Sequence, residues 1–122
     1  MGNNYYIALQ HRNALETWSA NTVTLVNNGS YNFLPLQTGL YEAYGGNMVQ
    51  VGSLYCLYSG DIDSQAGDGN VNGADYSVWE LDDSNFETGY KQSDLNGDGN
   101  VNGADYSIWE LNDSNFVTVS KP

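Results

Sequence analysis

Apolar and polar residues are arranged in two different ways along this chain. In the first 60 positions they alternate with a period of two, or fall in short runs between Asn, Gly and Ser, whereas later stretches repeat at helical spacing. Tyr5, Ile7, Leu9 and His11 alternate with Tyr6, Ala8, Gln10 and Arg12, as in a strand with two unlike faces. A second run at 22–26 leads through Asn27-Asn28-Gly29, a hairpin-forming step, into 31–34. Gly45-Gly46-Asn47 and Gly52-Ser53 then bracket 48–51, and 54–58 completes the set. The pattern predicts an antiparallel sheet of four or five short strands, one wall of a small sandwich. Sixty residues bury little core by themselves, so this sheet is expected to lean on the segment that follows it or on one upstream.

Helical periodicity appears over residues 103–112, where Ala104, Ile108 and Leu111 share one face and Tyr106 and Trp109 a neighbouring one. The same pattern recurs thirty positions earlier, with Val78 in the place of Ile108 and Tyr76 and Trp79 in the aromatic places. Two readings are open for these rings. They pack the helices against each other and against the N-terminal half, or Tyr76, Trp79, Tyr106 and Trp109 form a platform for a partner or a sugar. Asp-Ser-Asn-Phe, at 83–86 and 113–116, reads as a helix exit whose Phe returns to the core. The fold class is therefore α+β, with a β-strand subdomain at 1–60 followed by a tandem repeat at 61–118.

That repeat is nearly perfect. Residues 67–86 and 97–116 differ only at Val78/Ile108 and Asp82/Asn112. Each copy opens on an acidic loop punctuated by glycine. In the second, Asp94, Asn96, Asp98, Asn100, Asn102 and Asp105 stand at positions 1, 3, 5, 7, 9 and 12, with Gly99 at position 6 and Val101 the lone apolar residue among them. Alternate residues of a tight loop can aim their oxygens at one centre, and a calcium ion takes six to eight hard oxygen ligands, one of them a backbone carbonyl at position 7. The first copy keeps Asp68, Asn70, Asn72 and Asp75, and Asp61 and Asp63 take the first two places if Ser64, Gln65 and Ala66 are an insertion. Added loop length is thermodynamically tolerable, although it loosens geometry. Two calcium ions are expected, with the second loop the better formed.

The pattern D-x-N-x-D-G-x-V-N-x-x-D over 94–105, its recurrence after thirty residues, and the absence of an entering helix before either loop resemble the duplicated, type I dockerin module, a pair of half EF-hands. The resemblance implies two calcium loops, each followed by a helix, packed with pseudo-twofold symmetry, and a module that docks a secreted protein onto a cohesin-like partner. Gly73-Ala74 and Gly103-Ala104 stand where that family usually carries Ser or Thr, and Glu80 and Glu110 replace basic residues, which tips the expected role from cohesin docking to a structural or adhesive one. The N-terminal motifs Tyr5-Tyr6-Ile7, His11-Arg12-Asn13, Glu16-Thr17-Trp18-Ser19, Ala43-Tyr44-Gly45-Gly46-Asn47 and Tyr58-Ser59-Gly60-Asp61 resemble the region preceding such repeats near the C-terminus of large secreted bacterial surface proteins and hydrolases. This implies a non-catalytic accessory part of something larger, outside the cell or on its surface.

Charge sharpens the picture. The formal net charge is −12, and thirteen of the fifteen acids follow residue 60. With only Arg12, Lys91 and Lys121 as strong bases, a nucleic-acid partner is not expected. The expected partners are a protein or a neighbouring domain, or a glycan. No apolar run approaches a membrane span, and the first residues lack the charged-then-apolar layout of a signal peptide, which reads as an expressed fragment. One His and one Cys are too few for a catalytic zinc set, and nothing in the spacing of Glu16, Glu42, Glu80 and Glu110 selects a catalytic pair. Catalysis is not expected. His11 is expected to hydrogen-bond on its strand, and Cys56, set in 54–58, to be a small buried hydrophobe.

Overall fold

The computed structural model describes residues 3–33, 42–64 and 67–122. Among these residues six short strands come first: β1 (Asn4–Tyr5), β2 (Ala8–His11), β3 (Ala14–Trp18), β4 (Val23–Thr24), β5 (Val49–Val51) and β6 (Leu54–Cys56), with a 3-10 turn at Tyr44–Gly46 before β5. Two helices follow, α1 (Gly73–Ser84) and α2 (Gly103–Ser114). The fold is α+β with small antiparallel sheets. No helix among the described residues is long and apolar enough to cross a membrane.

Among the described residues the strands pair as three two-stranded ladders, β1 with β4, β2 with β3 and β5 with β6, where the sequence predicts one sheet of four or five. A ladder grows into a wider sheet when each strand has an apolar face to bury, and all four residues of β2 are exposed. β3 was not legible as a strand, yet it carries the buried Ala14, Leu15 and Thr17. The Asn-Gly step does turn the chain, with Asn28 at φ 59° and the Gly29 N–H on the Val26 carbonyl at 3.2 Å. It closes no ladder of its own, because β4 pairs with β1 in the register Asn4↔Thr24 and Tyr5↔Val23, and 31–33 is not a strand. Leu34, the last residue of that expected strand, lies outside the described residues. Cys56 is half-buried.

The chain divides into two units, each discontinuous in sequence. The first comprises Met1–Leu9, Thr17–Leu57 and Ser120–Pro122. Its buried residues among those described are small or polar, Thr17, Ser19, Ala43 and Asn47, and hydrogen bonds join Ser19 and Ala43 to their surroundings. The Tyr31 hydroxyl adds to this: it donates to the Glu42 carbonyl at 2.8 Å and accepts the N–H groups of Ala20 and Glu42 at 3.1 Å each. The second unit comprises Gln10–Glu16 and Tyr58–Val119, so segment 10–16, expected in the strand subdomain, belongs with the repeats. Its apolar core is Ile62, Val71, Leu95 and Trp109, with Tyr76, Val78, Trp79, Tyr106, Ile108 and Val117 packed against them.

Both helices start and stop for the same local reasons. Asn72 and Asn102 are N-caps, accepting the N–H of Ala74 at 2.8 Å and Ala104 at 2.9 Å, and Asp75 and Asp105 reach back to the cap N–H to complete a capping box. The helices end at Asn85 and Asn115, as the Asp-Ser-Asn-Phe reading predicts. The aromatic residue after each cap does not return to the core. Phe86 and Phe116 are 87% and 88% exposed, at φ 54° and 53°. Left-handed backbone at this position usually carries glycine. The buried helix face also differs from the expected one. Asp105, Trp109 and Asn112 are buried in α2, while Ala104 and Leu111 are exposed, because the inward Asp105 fixes the helix phase one residue away from the apolar stripe.

Candidate metal centre

Each loop opens on an aspartate whose carboxylate shapes the turn that follows. Asp94 accepts the N–H groups of Gly97 and Asp98 at Oδ1, 2.9 and 3.1 Å, and of Gly99 at Oδ2, 2.8 Å. Asp61 accepts those of Asp68 at Oδ1, 2.9 Å, and Gly69 at Oδ2, 3.0 Å. This correspondence makes Asp61 the structural counterpart of Asp94 and residues 64–66 the extra ones; Gln65 and Ala66 lie outside the described residues. Asp68 and Asp98 then each accept the N–H two residues on, from Asn70 and Asn100, at 2.9 Å.

Asp75 and Asp105 close the loops from inside. Both are fully buried. Oδ1 of Asp75 takes the N–H groups of Ile62 and Asp63, 2.6 and 3.0 Å, and Oδ2 that of Asn72, 2.8 Å. Asp105 does the same with Leu95, Asn96 and Asn102 at 2.8, 3.1 and 2.9 Å. One carboxylate thus ties the start of the loop to its end. Asn72 and Asn102 each use Oδ1 to cap the helix, which leaves that oxygen a second lone pair. Asn70 Oδ1 accepts the Thr118 hydroxyl at 2.8 Å.

Carboxylate oxygens of Asp61, Asp63 and Asp68 come within 4.8 Å of one another. Asp63 Oδ1 is buried and meets no hydrogen-bond donor among the described residues. A Cβ on Gly67, at φ 71°, would lie 2.2 Å from Asp61 Oδ2, so the chain crosses that carboxylate at a distance only glycine permits. Desolvation by burial, opposed by the Gly69 and Asp68 N–H groups and reinforced by the Asp75 and Asp68 charges, raises the Asp61 pKa to about 6. Asp63 is raised by desolvation and then by the charge of Asp68. Asp75 is also raised by desolvation, against the three N–H groups that favour its ionised form. An orphaned buried oxygen amid mutually repelling carboxylates, with no nitrogen or sulfur donor, fits a hard divalent cation. Asp61, Asp63 and Asp68 could hold one.

The second loop gathers fewer charges. Asn96 stands where the first loop has Asp63, and its Nδ2 donates to Asp98 Oδ2 at 3.3 Å while its Oδ1 accepts the Asp98 N–H at 3.1 Å. Spacing ranks the second loop higher; carboxylate geometry ranks the first. No family model, curated protein or solved structure matches the chain.

The four aromatic residues named from the sequence form one cluster between the helices. Ring centroids of Tyr76 and Trp109 are 5.2 Å apart, and those of Trp79 and Tyr106 5.1 Å. Trp109 is buried and the other three half-buried. Desolvation, and then the carboxylates of Glu80 and Glu110, raises the pKa of the Tyr76 and Tyr106 phenols, which donate to those carboxylates at 3.3 Å. The sequence reading missed what lies beneath. Asn112 Nδ2 donates to the Ser59 carbonyl at 2.7 Å, whereas its counterpart Asp82 accepts the Ser93 hydroxyl and pairs with Lys91 at 3.7 Å. The departure of the two copies at this position was the available signal. His11 Nδ1 meets Asn13 Oδ1 at 2.8 Å, as a hydrogen-bonding strand residue.

Proposed function

We propose that this chain is a non-catalytic, extracellular calcium-binding module, a dockerin-like pair of half EF-hands that serves as an accessory part of a larger secreted protein. The observation that carries the reading is the Asp61, Asp63 and Asp68 cluster with the donorless Asp63 Oδ1, on a loop whose backbone pattern is repeated thirty residues later. Asp94, Asn96 and Asp98 are the corresponding side chains of the second loop, with the carbonyls of Asn70 and Asn100 and the carboxylates of Asp75 and Asp105 completing each set. A bound cation supplies positive charge that offsets the repulsion among the carboxylates. The chain's own part is to present them: Asp61 and Asp94 order the turn, and Asp75 and Asp105 join it to the helix. Millimolar calcium outside cells is enough to load weak sites of this type, and binding confined to the folded state stabilises it by about 4 kcal/mol at a thousandfold excess over Kd. The role is structural or adhesive: the loaded module rigidifies the end of its parent. Calorimetric titration of chelator-stripped protein with calcium tests this, and two sites are expected. No heat and no change in melting temperature would discard it.

A second reading, docking to a protein partner, has its own support. Leu81, Phe86, Leu111 and Phe116 are 63%, 87%, 61% and 88% exposed at equivalent ends of the two helices. Sedimentation of the loaded module with cohesin-like domains, repeated with Phe86→Ala and Phe116→Ala, tests it.

A further inference from the structure

Each loop is held by the repeat to which it does not belong. The Trp79 indole N–H, from α1, donates to the carbonyl of Asn102 in the second loop at 3.0 Å, and the Trp109 indole N–H, from α2, donates to that of Asn72 in the first, also at 3.0 Å. The segments after the helices do the same with backbone. Glu87 accepts the Val101 N–H at 3.1 Å and Gly89 donates to Gly99 at 2.8 Å, across a Thr88↔Asn100 bridge. In mirror image, Val117 accepts the Val71 N–H at 3.1 Å and Val119 donates to Gly69 at 2.8 Å, across Asn70↔Thr118. Asp82 receives Ser93, the residue before the second loop, and Asn112 reaches Ser59, two before the first. Among these contacts a repeat does not clamp its own loop.

We propose that Trp79 and Trp109 are positioning residues for the metal loop of the opposite repeat, so that the two loops take up metal as a coupled pair. The inference rests on the calcium reading above. Without the indole N–H, the Asn102 and Asn72 carbonyls keep only N–H groups of their own helices and lose the bond that ties them to the other repeat, and the N-cap residue at each carbonyl joins loop to helix. Ordering one loop fixes its helix and the indole on it; that indole then holds the other loop, so affinity at one site depends on the state of the other.

The experiment follows the Gly69 and Gly99 amides by NMR during calcium titration of the full chain and of Trp79→Phe, which keeps the ring and removes the N–H. The expected result is a rise of about tenfold in the Gly99 midpoint and a smaller one at Gly69, with Trp109→Phe giving the reverse pattern. Amides that move in the parent chain but show a Trp79→Phe effect confined to Gly69, or none, would overturn the coupling and leave the calcium reading intact. Amides that do not move at all in the parent chain would remove the calcium reading, and the coupled uptake with it. Should Trp79→Phe fail to fold, Asp98→Asn, at an exposed position of the second loop, decides: coupling raises the Gly69 midpoint about threefold or more, and an unchanged midpoint overturns it.

Discussion

The two repeats share 18 of 20 residues across their matched stretches, yet they occupy different surroundings, and one of the two differences, Asp82/Asn112, falls where those surroundings diverge. Asn112 is buried and donates to a carbonyl, which a carboxylate cannot do. Asp82 faces a hydroxyl and a lysine, where a carboxylate gains charge-assisted contacts. Asp63 makes the first loop a three-carboxylate cluster, and Asn96 turns the same place in the second into an internal amide–carboxylate contact. Trp109 is buried and Trp79 half-exposed, so the core is offset toward the second helix. Duplication copies the local structure; the neighbours decide what each copy does with it.

The largest expected effect tests what the repeats share. Asp75→Ala and Asp105→Ala each leave three backbone N–H groups without an acceptor at a fully buried place, and each is expected to lose about 3 kcal/mol or more in urea denaturation. Costs that differ widely would show that the loop closures are not equivalent. Next comes pH. The Asp61 carboxyl, pushed from 3.8 to about 6, binds a proton more readily in the folded chain than in the unfolded one. Stability of the metal-free protein should therefore fall as pH rises from about 4 to 6, by a few kcal/mol, and Asp61→Asn should flatten the slope. Denaturation of chelated protein across that range measures it, and a stability that climbs with pH would contradict the assignment.

Exchanging the differing pair sharpens the contrast further. Asn112→Asp is expected to lose about 1–3 kcal/mol, since it removes the donor to Ser59 and buries a charge beside a carbonyl. Asp82→Asn should lose under about 1 kcal/mol, because the Ser93 hydroxyl keeps an acceptor and only the Lys91 pair goes. Equal losses in denaturation would mean that burial is alike on the two sides. The smallest effect has the opposite sign. Phe86→Gly and Phe116→Gly relieve left-handed backbone and should each raise stability by about 1 kcal/mol or less, read from melting temperature.

The helical stretch at 103–112, the helix exits and the loop signature were legible because periodicity and tight turns depend on residues a few positions apart; the capping boxes of Asn72 with Asp75 and Asn102 with Asp105 were not, since the same residues also fit the ligand pattern. The correspondence of Asp61 with Asp94 could also be read across the three extra residues, and the hydrogen bonds agree with it. The helix face was read wrongly, because counting apolar residues overlooked a buried aspartate that sets the phase. Strand partners were beyond reach for a related reason. β4 lies one Asn-Gly turn from 31–33, yet it pairs with β1, some twenty residues back.

What the sequence by itself determined is local: the repeat, the helix exits, the acidic loops and the chemistry of an oxygen-only donor set. Only the tertiary structure decided that each loop is clamped by the other repeat's tryptophan and tail, that Phe86 and Phe116 stand in solvent, and that Asp61, Asp63 and Asp68 gather around a buried oxygen with no donor among the described residues. Those outcomes depend on which distant backbone groups find partners once the chain is folded, and hydrogen-bond satisfaction over tens of residues leaves no periodic trace in the order of the amino acids.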